Sequence, residues 1–203
     1  MPLQEKIKIE ADQVEWNNSD SVIFFYEKHH LYFENFQNLE EEELLFEFID
    51  IKLLYIASLI NKGRLKKAMS FITDVDILNQ KIVEHPNFPQ FEERKDFYQG
   101  MIYAYLKNYS QAADIFNKLL KVDPENDNYK DWYTNMRIHG MNKLTWGFAI
   151  LGLIVMFVDI GYHAFFHIHL SEFFGFFGIG LVVISLLFPY VYRFLIKTKI
   201  TWK

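Results

Sequence analysis

"ERKDFYQGMIYAYLKNYSQAADIFNKLLKVDPEN", residues 93–126, decides how the front part of this chain is read. Its apolar residues recur at helical rather than alternating spacing, which predicts helices near 90–107 and 110–121. Gly100 and Ala112 are small enough to let two antiparallel helices approach closely. Tyr103 and Phe116 fill the gap between them, and Pro124 starts the next turn. The same frame laid over 49–82, "IDIKLLYIASLINKGRLKKAMSFITDVDILNQKI", keeps Gly63, Leu65, Ala68 and Ile72 around the turn "NKGRLKKA". It departs at Ile56, which replaces the small residue, and at Gln80, which replaces the proline. The two segments form an internal repeat, with residues 83–92 inserted between them.

In register, Gly100, Tyr103, Tyr109, Ala112, Phe116 and Pro124 occupy the small, aromatic and proline positions of the tetratricopeptide-repeat family, which residues 93–126 resemble closely. Departures are Asp96, where tryptophan is usual, and Leu119, where alanine is usual. The resemblance implies an all-α fold, a TPR-like antiparallel helix-pair array of about two repeats plus capping helices. Helix 19–36 would cap the front and helix 127–140 would cover the rear, with further helices at 40–61 and 65–82. It also implies a partner-binding groove lined by the first helix of each repeat. Transferred by register, the groove residues are Leu53, Ala57, Ile60 and Asn61, then Arg94, Phe97, Met101, Ala104 and Tyr105, with Asn135 continuing the row. That mixture suits an extended or helical peptide. The lysine clamp that some family members use for acidic chain ends is not reproduced.

Beyond the repeats the composition changes. Residues 144–166 exceed 20 residues with Asp159 as their only full charge, and residues 173–192 carry none. Each suffices to cross a hydrocarbon core of roughly 30 Å. The short link "HIHLSE" predicts an antiparallel two-helix transmembrane hairpin, since only helices with satisfied backbones survive in lipid. The expected organisation is an N-terminal extension (1–18), a cytoplasmic TPR-like domain (19–141), and the hairpin with a basic tail (142–203). Small residues Gly175, Gly178, Gly180 and Ser185 offer close helix contact within the hairpin or between copies, so a homo-oligomer is possible on this pattern.

Residues 1–143 hold 17 of the 21 Lys+Arg and 24 of the 26 Asp+Glu, which argues against nucleic acid as the main partner. Arg137 and Lys143 precede the first span, while Arg193, Lys197, Lys199 and Lys203 follow the second; the link has no Lys or Arg. The positive-inside rule therefore predicts an integral inner-membrane protein with both termini cytoplasmic and the link outside. The start, "MPLQEKIKIEADQVEWNNSD", has no apolar core of signal-peptide type. There is no cysteine, which excludes disulfides and cysteine-based zinc or redox sites.

"FVDIGYHAFFHIHL", residues 157–170, places Asp159, His163 and His167 at i, i+4 and i+8, on one helix face. Asp159 lies roughly 22 Å into the span. Intramembrane ionisable groups are functional hypotheses by default. Three ligands on successive turns differ in height by about 6 Å each, so they could converge on a metal only if the helix bends. The expectation is no metal: Asp159 pairs with His163 or faces a neighbouring helix, and the alternative is a proton or ion path through Asp159 and the histidines. In "YEKHHLYFENF", His30 and Glu34 share a face as an ordinary surface pair.

No Gly-rich phosphate loop, nucleophile elbow or HExxH occurs. The expected function is therefore non-enzymatic and without cofactor: a membrane-anchored TPR-like adaptor that binds a partner protein in the cytoplasm. The second reading is an oligomeric membrane effector or pore-forming accessory protein. Its build is similar to small CRISPR and anti-phage accessory proteins that join a sensing domain to hydrophobic hairpins.

Overall fold

A computed structural model describes residues 7, 9–34, 42–166 and 172–201. Among them there is no strand. The helices are α1 (Ser19–Lys28), α2 (His30–Glu34), α3 (Glu42–Asn61), α4 (Leu65–Lys81), α5 (Phe88–Tyr105), α6 (Tyr109–Val122), α7 (Asp127–Phe166) and α8 (Glu172–Thr201). They divide into two compact units, Met1–Ile115 and Phe116–Lys203.

In the first unit α3 is the central element, packed against α1, α4 and α5. Leu45, Phe48, Ile49, Leu53, Ile56, Leu59 and Ile60 recur at three- and four-residue steps and are all buried. Each contributes roughly 1.5–3 kcal/mol of transfer free energy. Asn18 caps α1: its side-chain oxygen accepts from the Asp20 and Ser21 N–H groups at 3.0 and 3.5 Å. The helix expected over 19–36 is broken at His29, and its last two residues lie outside those described. The His29 N–H closes α1 on the Phe25 and Tyr26 carbonyls, while its own carbonyl accepts from Tyr32 and Phe33 to open α2. Part of the expected N-terminal extension belongs to the core. Ile7 is buried there, Ala11 and Val14 pack against it, and the Glu10 carboxylate holds Lys28 at 2.6 Å and His29 at 2.8 Å.

The two helix-pair turns are alike atom for atom, 44 residues apart. The Arg64 N–H bonds the Leu59 carbonyl at 2.8 Å, and the Asn108 N–H bonds that of Tyr103 at 2.9 Å. One position earlier, Gly63 N–H bonds Ile60 and Lys107 N–H bonds Ala104; one helical turn later, Ala68 bonds Arg64 and Ala112 bonds Asn108. This is a Schellman closure, which needs a left-handed residue just past the helix end. Gly63 takes φ +70° at no steric cost, and Lys107 takes φ +63° against its Cβ. After each turn the small residue, Ala68 or Ala112, and the larger one, Ile72 or Phe116, are buried. The turns of the two segments are thus alike in backbone geometry.

In the second unit α7 runs unbroken for 40 residues, about 60 Å. Asn126 opens it by accepting from the Tyr129 N–H at 3.3 Å, and Trp132 stacks on Phe116 with centroids 5.3 Å apart. α7 and α8 pack together along their length. A Cβ built on Gly152 would meet the Gly178 carbonyl oxygen at 2.7 Å and Val182 at 3.0 Å; one on Gly178 would meet Met156 at 2.7 Å. Residues therefore pair in opposite directions, as in an antiparallel hairpin. The second span, expected to end near residue 192, belongs to a helix that continues past Pro189 to Thr201. Pro189 has no N–H to donate to the preceding turn, yet the helix continues through it.

α7 and α8 each hold an 18-residue window of mean hydropathy 2.0 and 1.8, long and apolar enough to cross a membrane. Only 12% and 11% of those windows is buried within the chain.

Candidate functional site

Arg94, Phe97, Met101 and Tyr105 share one face of α5, and their repeat equivalents on α3 are Asp50, Leu53, Ala57 and Asn61. The structure joins the two rows at their first positions, where the Arg94 guanidinium pairs with the Asp50 carboxylate. Leu53 does not present a surface: it is fully buried between helices of the core. Phe97 and Met101 are half-buried, and Met101 packs on that core. Tyr105 is 53% exposed. Asn61 is exposed at the end of α3, with its amide donating to Ser19 Oγ at 3.3 Å. Asn135 is exposed on α7, in the other unit. The accessible part of the expected groove is therefore carried by α5, with Asn61 on α3.

Two buried ammonium groups went unnoticed in the sequence. Lys52 is fully buried on α3, its Nζ 3.1 Å from Asp74 and 5.3 Å from the Phe71 ring centroid. Tyr26 stacks on Tyr55 at 4.0 Å and on Phe33 at 5.1 Å beside it. Burial lowers the Lys52 pKa, with the Asp74 charge and hydrogen bond opposing that shift. Lys95 on α5 is 6% exposed and reaches Asp76 at 2.6 Å, Glu92 at 2.7 Å and Asp96 at 3.3 Å. Burial disfavours its charge, but the three carboxylates outweigh burial and hold the pKa above the ordinary lysine value. Both clusters tie helices together: Lys52 on α3 and Lys95 on α5 each pair with an aspartate on α4. The available signal was a lone base inside the apolar run "IDIKLLYIASLI". Asp96 occupies the repeat position of Lys52 and is buried as well.

On the outer surface of α1, Glu27 accepts from Lys67 at 2.7 Å and from the Tyr55 hydroxyl at 3.2 Å. The Lys67 hydrogen bond is the main reason its pKa is lowered. His30 Nδ1 lies 2.9 Å from the Glu27 carbonyl oxygen, its imidazole engaged with backbone.

In the hairpin, Asp159 follows Gly152 and Met156 on the seam facing α8, and its Oδ1 is buried without a hydrogen-bond partner. Its expected companion His163 lies in α7, but its side chain falls outside those described, as does the whole of His167. Among the described residues, no three His, Cys, Asp or Glu side chains come together as metal ligands. Ser185 is buried on the facing helix, its hydroxyl turned back to the Val182 carbonyl at 2.7 Å.

No known protein family, curated protein or solved structure matches the chain.

Proposed function

We propose that this protein is a non-enzymatic membrane-anchored adaptor: a TPR-like helical domain captures a partner protein in the cytoplasm, and the α7–α8 hairpin holds the pair at the inner membrane. The observation that carries the reading is the duplicated turn, Leu59–Arg64 and Tyr103–Asn108, in a chain that also has two apolar, mostly unburied helices. Duplicated helix pairs are scaffolds whose first helices face a common groove. The partner contacts Arg94, Phe97, Met101 and Tyr105 on α5, with Asn61 beside them. Arg137, Lys143, Arg193, Lys197 and Lys199 at one end of the hairpin support cytoplasmic termini.

Photo-crosslinking tests it. A benzoylphenylalanine at Tyr105 in membranes should give one discrete protein adduct, and the same probe at Ile77, exposed on α4, should give none. Equal adducts at both positions, or none at Tyr105, would defeat the groove assignment.

One observation favours the second reading, an oligomeric pore-forming effector: the Asp159 Oδ1 buried in the hairpin seam without a hydrogen-bond partner. Assembly size in detergent separates the two. A ring of several copies supports the pore, whereas a monomer or dimer removes it.

A further inference from the structure

The register of the hairpin gathers cations that are far apart in sequence. Gly152 lies opposite residues 178–182 and Gly178 opposite residues 152–156, so each step back along α7 is a step forward along α8. Carried to the end of the hairpin, Lys143 lies level with residue ~190 and Arg137 with residue ~196, at 1.5 Å of rise per residue. Arg137, Lys143, Arg193, Lys197 and Lys199 therefore fall within a slab about 14 Å deep. Arg137 and Arg193 are exposed. At the inner edge of the slab stand Trp146, 69% exposed, and Tyr190, 76% exposed. Residues 144–192 contain no Lys or Arg, so the cations are confined to this end.

Exposed aromatic rings at the border of an apolar span mark the level of lipid headgroups. Cations directly outside that level meet phosphate, not acyl chain. We propose that this end of the hairpin is a binding surface for anionic phospholipid headgroups, with Arg193, Lys197 and Lys199 on α8 and Arg137 and Lys143 on α7 holding the phosphates. The proposal rests on the membrane reading and adds a lipid preference to it. Spans flanked by a cation or two need no particular lipid, whereas clusters of four or more attract anionic headgroups and lose that attraction as salt screens it.

The test uses the full chain in phosphatidylcholine vesicles carrying about 20% phosphatidylglycerol, with bromine on the acyl chains of one lipid at a time. Flotation first establishes insertion. Fluorescence of Trp146, isolated by Trp16→Phe, Trp132→Phe and Trp202→Phe, then reports which lipid sits beside the hairpin. We expect brominated phosphatidylglycerol to quench at least three-fold more, per mole of lipid, than brominated phosphatidylcholine. The preference should fall toward unity at about 0.5 M NaCl and in the variant Arg193→Gln with Lys197→Gln and Lys199→Gln. Salt dependence in the unaltered protein stands even if that variant fails to insert. Equal quenching by both lipids in floated protein overturns the lipid preference and leaves the membrane reading intact. Protein that does not float overturns both. Inorganic phosphate should displace no more phosphatidylglycerol than chloride of equal ionic strength; greater displacement would assign the surface to free phosphate and overturn the lipid assignment.

Discussion

Gly152 and Gly178 bring two backbones into contact: each lacks the Cβ that would otherwise sit 2.7–3.0 Å from the other's carbonyl oxygen. Small residues at a helix crossing are what membrane hairpins need, because dispersion contacts must replace the missing hydrophobic drive. Gly152→Val should therefore separate α7 from α8, at a cost of about 1–3 kcal/mol for overpacking. Gly147, whose Cβ would meet nothing within 4 Å, is the control. Gly147→Ala should be neutral or stabilise by up to about 1 kcal/mol through helix propensity. Unfolding in mixed micelles, read by circular dichroism, distinguishes them.

The paired turns make opposite predictions. Gly63→Ala puts a Cβ at φ +70° and should cost about 1 kcal/mol or more. Lys107→Gly removes that strain at φ +63° and should gain up to about 1 kcal/mol, less the added freedom of glycine in the unfolded chain. Urea denaturation of the two variants should move the midpoint in opposite directions.

Lys52 and Asp74 are unequal partners, since the lysine is fully buried while the aspartate is 32% exposed. Asp74→Ala removes the carboxylate 3.1 Å from a buried ammonium and should destabilise by up to roughly 3–5 kcal/mol. Lys52→Met fills the same space without charge and should cost under about 1.5 kcal/mol. Equal losses from both changes would mean that the pair itself, and not the burial of the ammonium, sets the cost.

The lowered pKa of Glu27 sets a sign for acid sensitivity. Its bond to Lys67 stabilises the fold above the ordinary carboxylate value of 4.5, and that contribution is lost as pH falls through the lower folded value. Melting temperature should drop on acidification below about pH 4.5, and the drop should be shallower in Glu27→Gln.

Much of this architecture is legible in the chain. Helical spacing marks the elements, and Gly63 with Ala68 and Ala112 marks the repeat. The uninterrupted apolar run carries helix 127–140 on into the span, as α7 does without a break. What escapes sequence reading has physical causes. The break at His29 is a backbone event with no Gly or Pro to announce it. Lys107 closes its turn in a conformation that lysine seldom adopts, so the likeness of the two turns is hidden at their most diagnostic position. Lys52 and Asp96 occupy equivalent buried positions with opposite charge, which no matching of similar residues would align. Leu53 fits a groove position by register, yet α3 is enclosed by three helices and has no free face there.

The central claim is that α7 and α8 form a membrane hairpin with both ends on the cytoplasmic side. The chain contains no cysteine, so single introduced thiols report without background. Labelling with a membrane-impermeant maleimide in intact cells is the most direct measurement. The account predicts that a cysteine at Ser171, in the link, is labelled from outside, while one at Asn128, near the start of α7, is labelled only after the membrane is opened. Protection of the Ser171 cysteine together with outside labelling at Asn128 would contradict it.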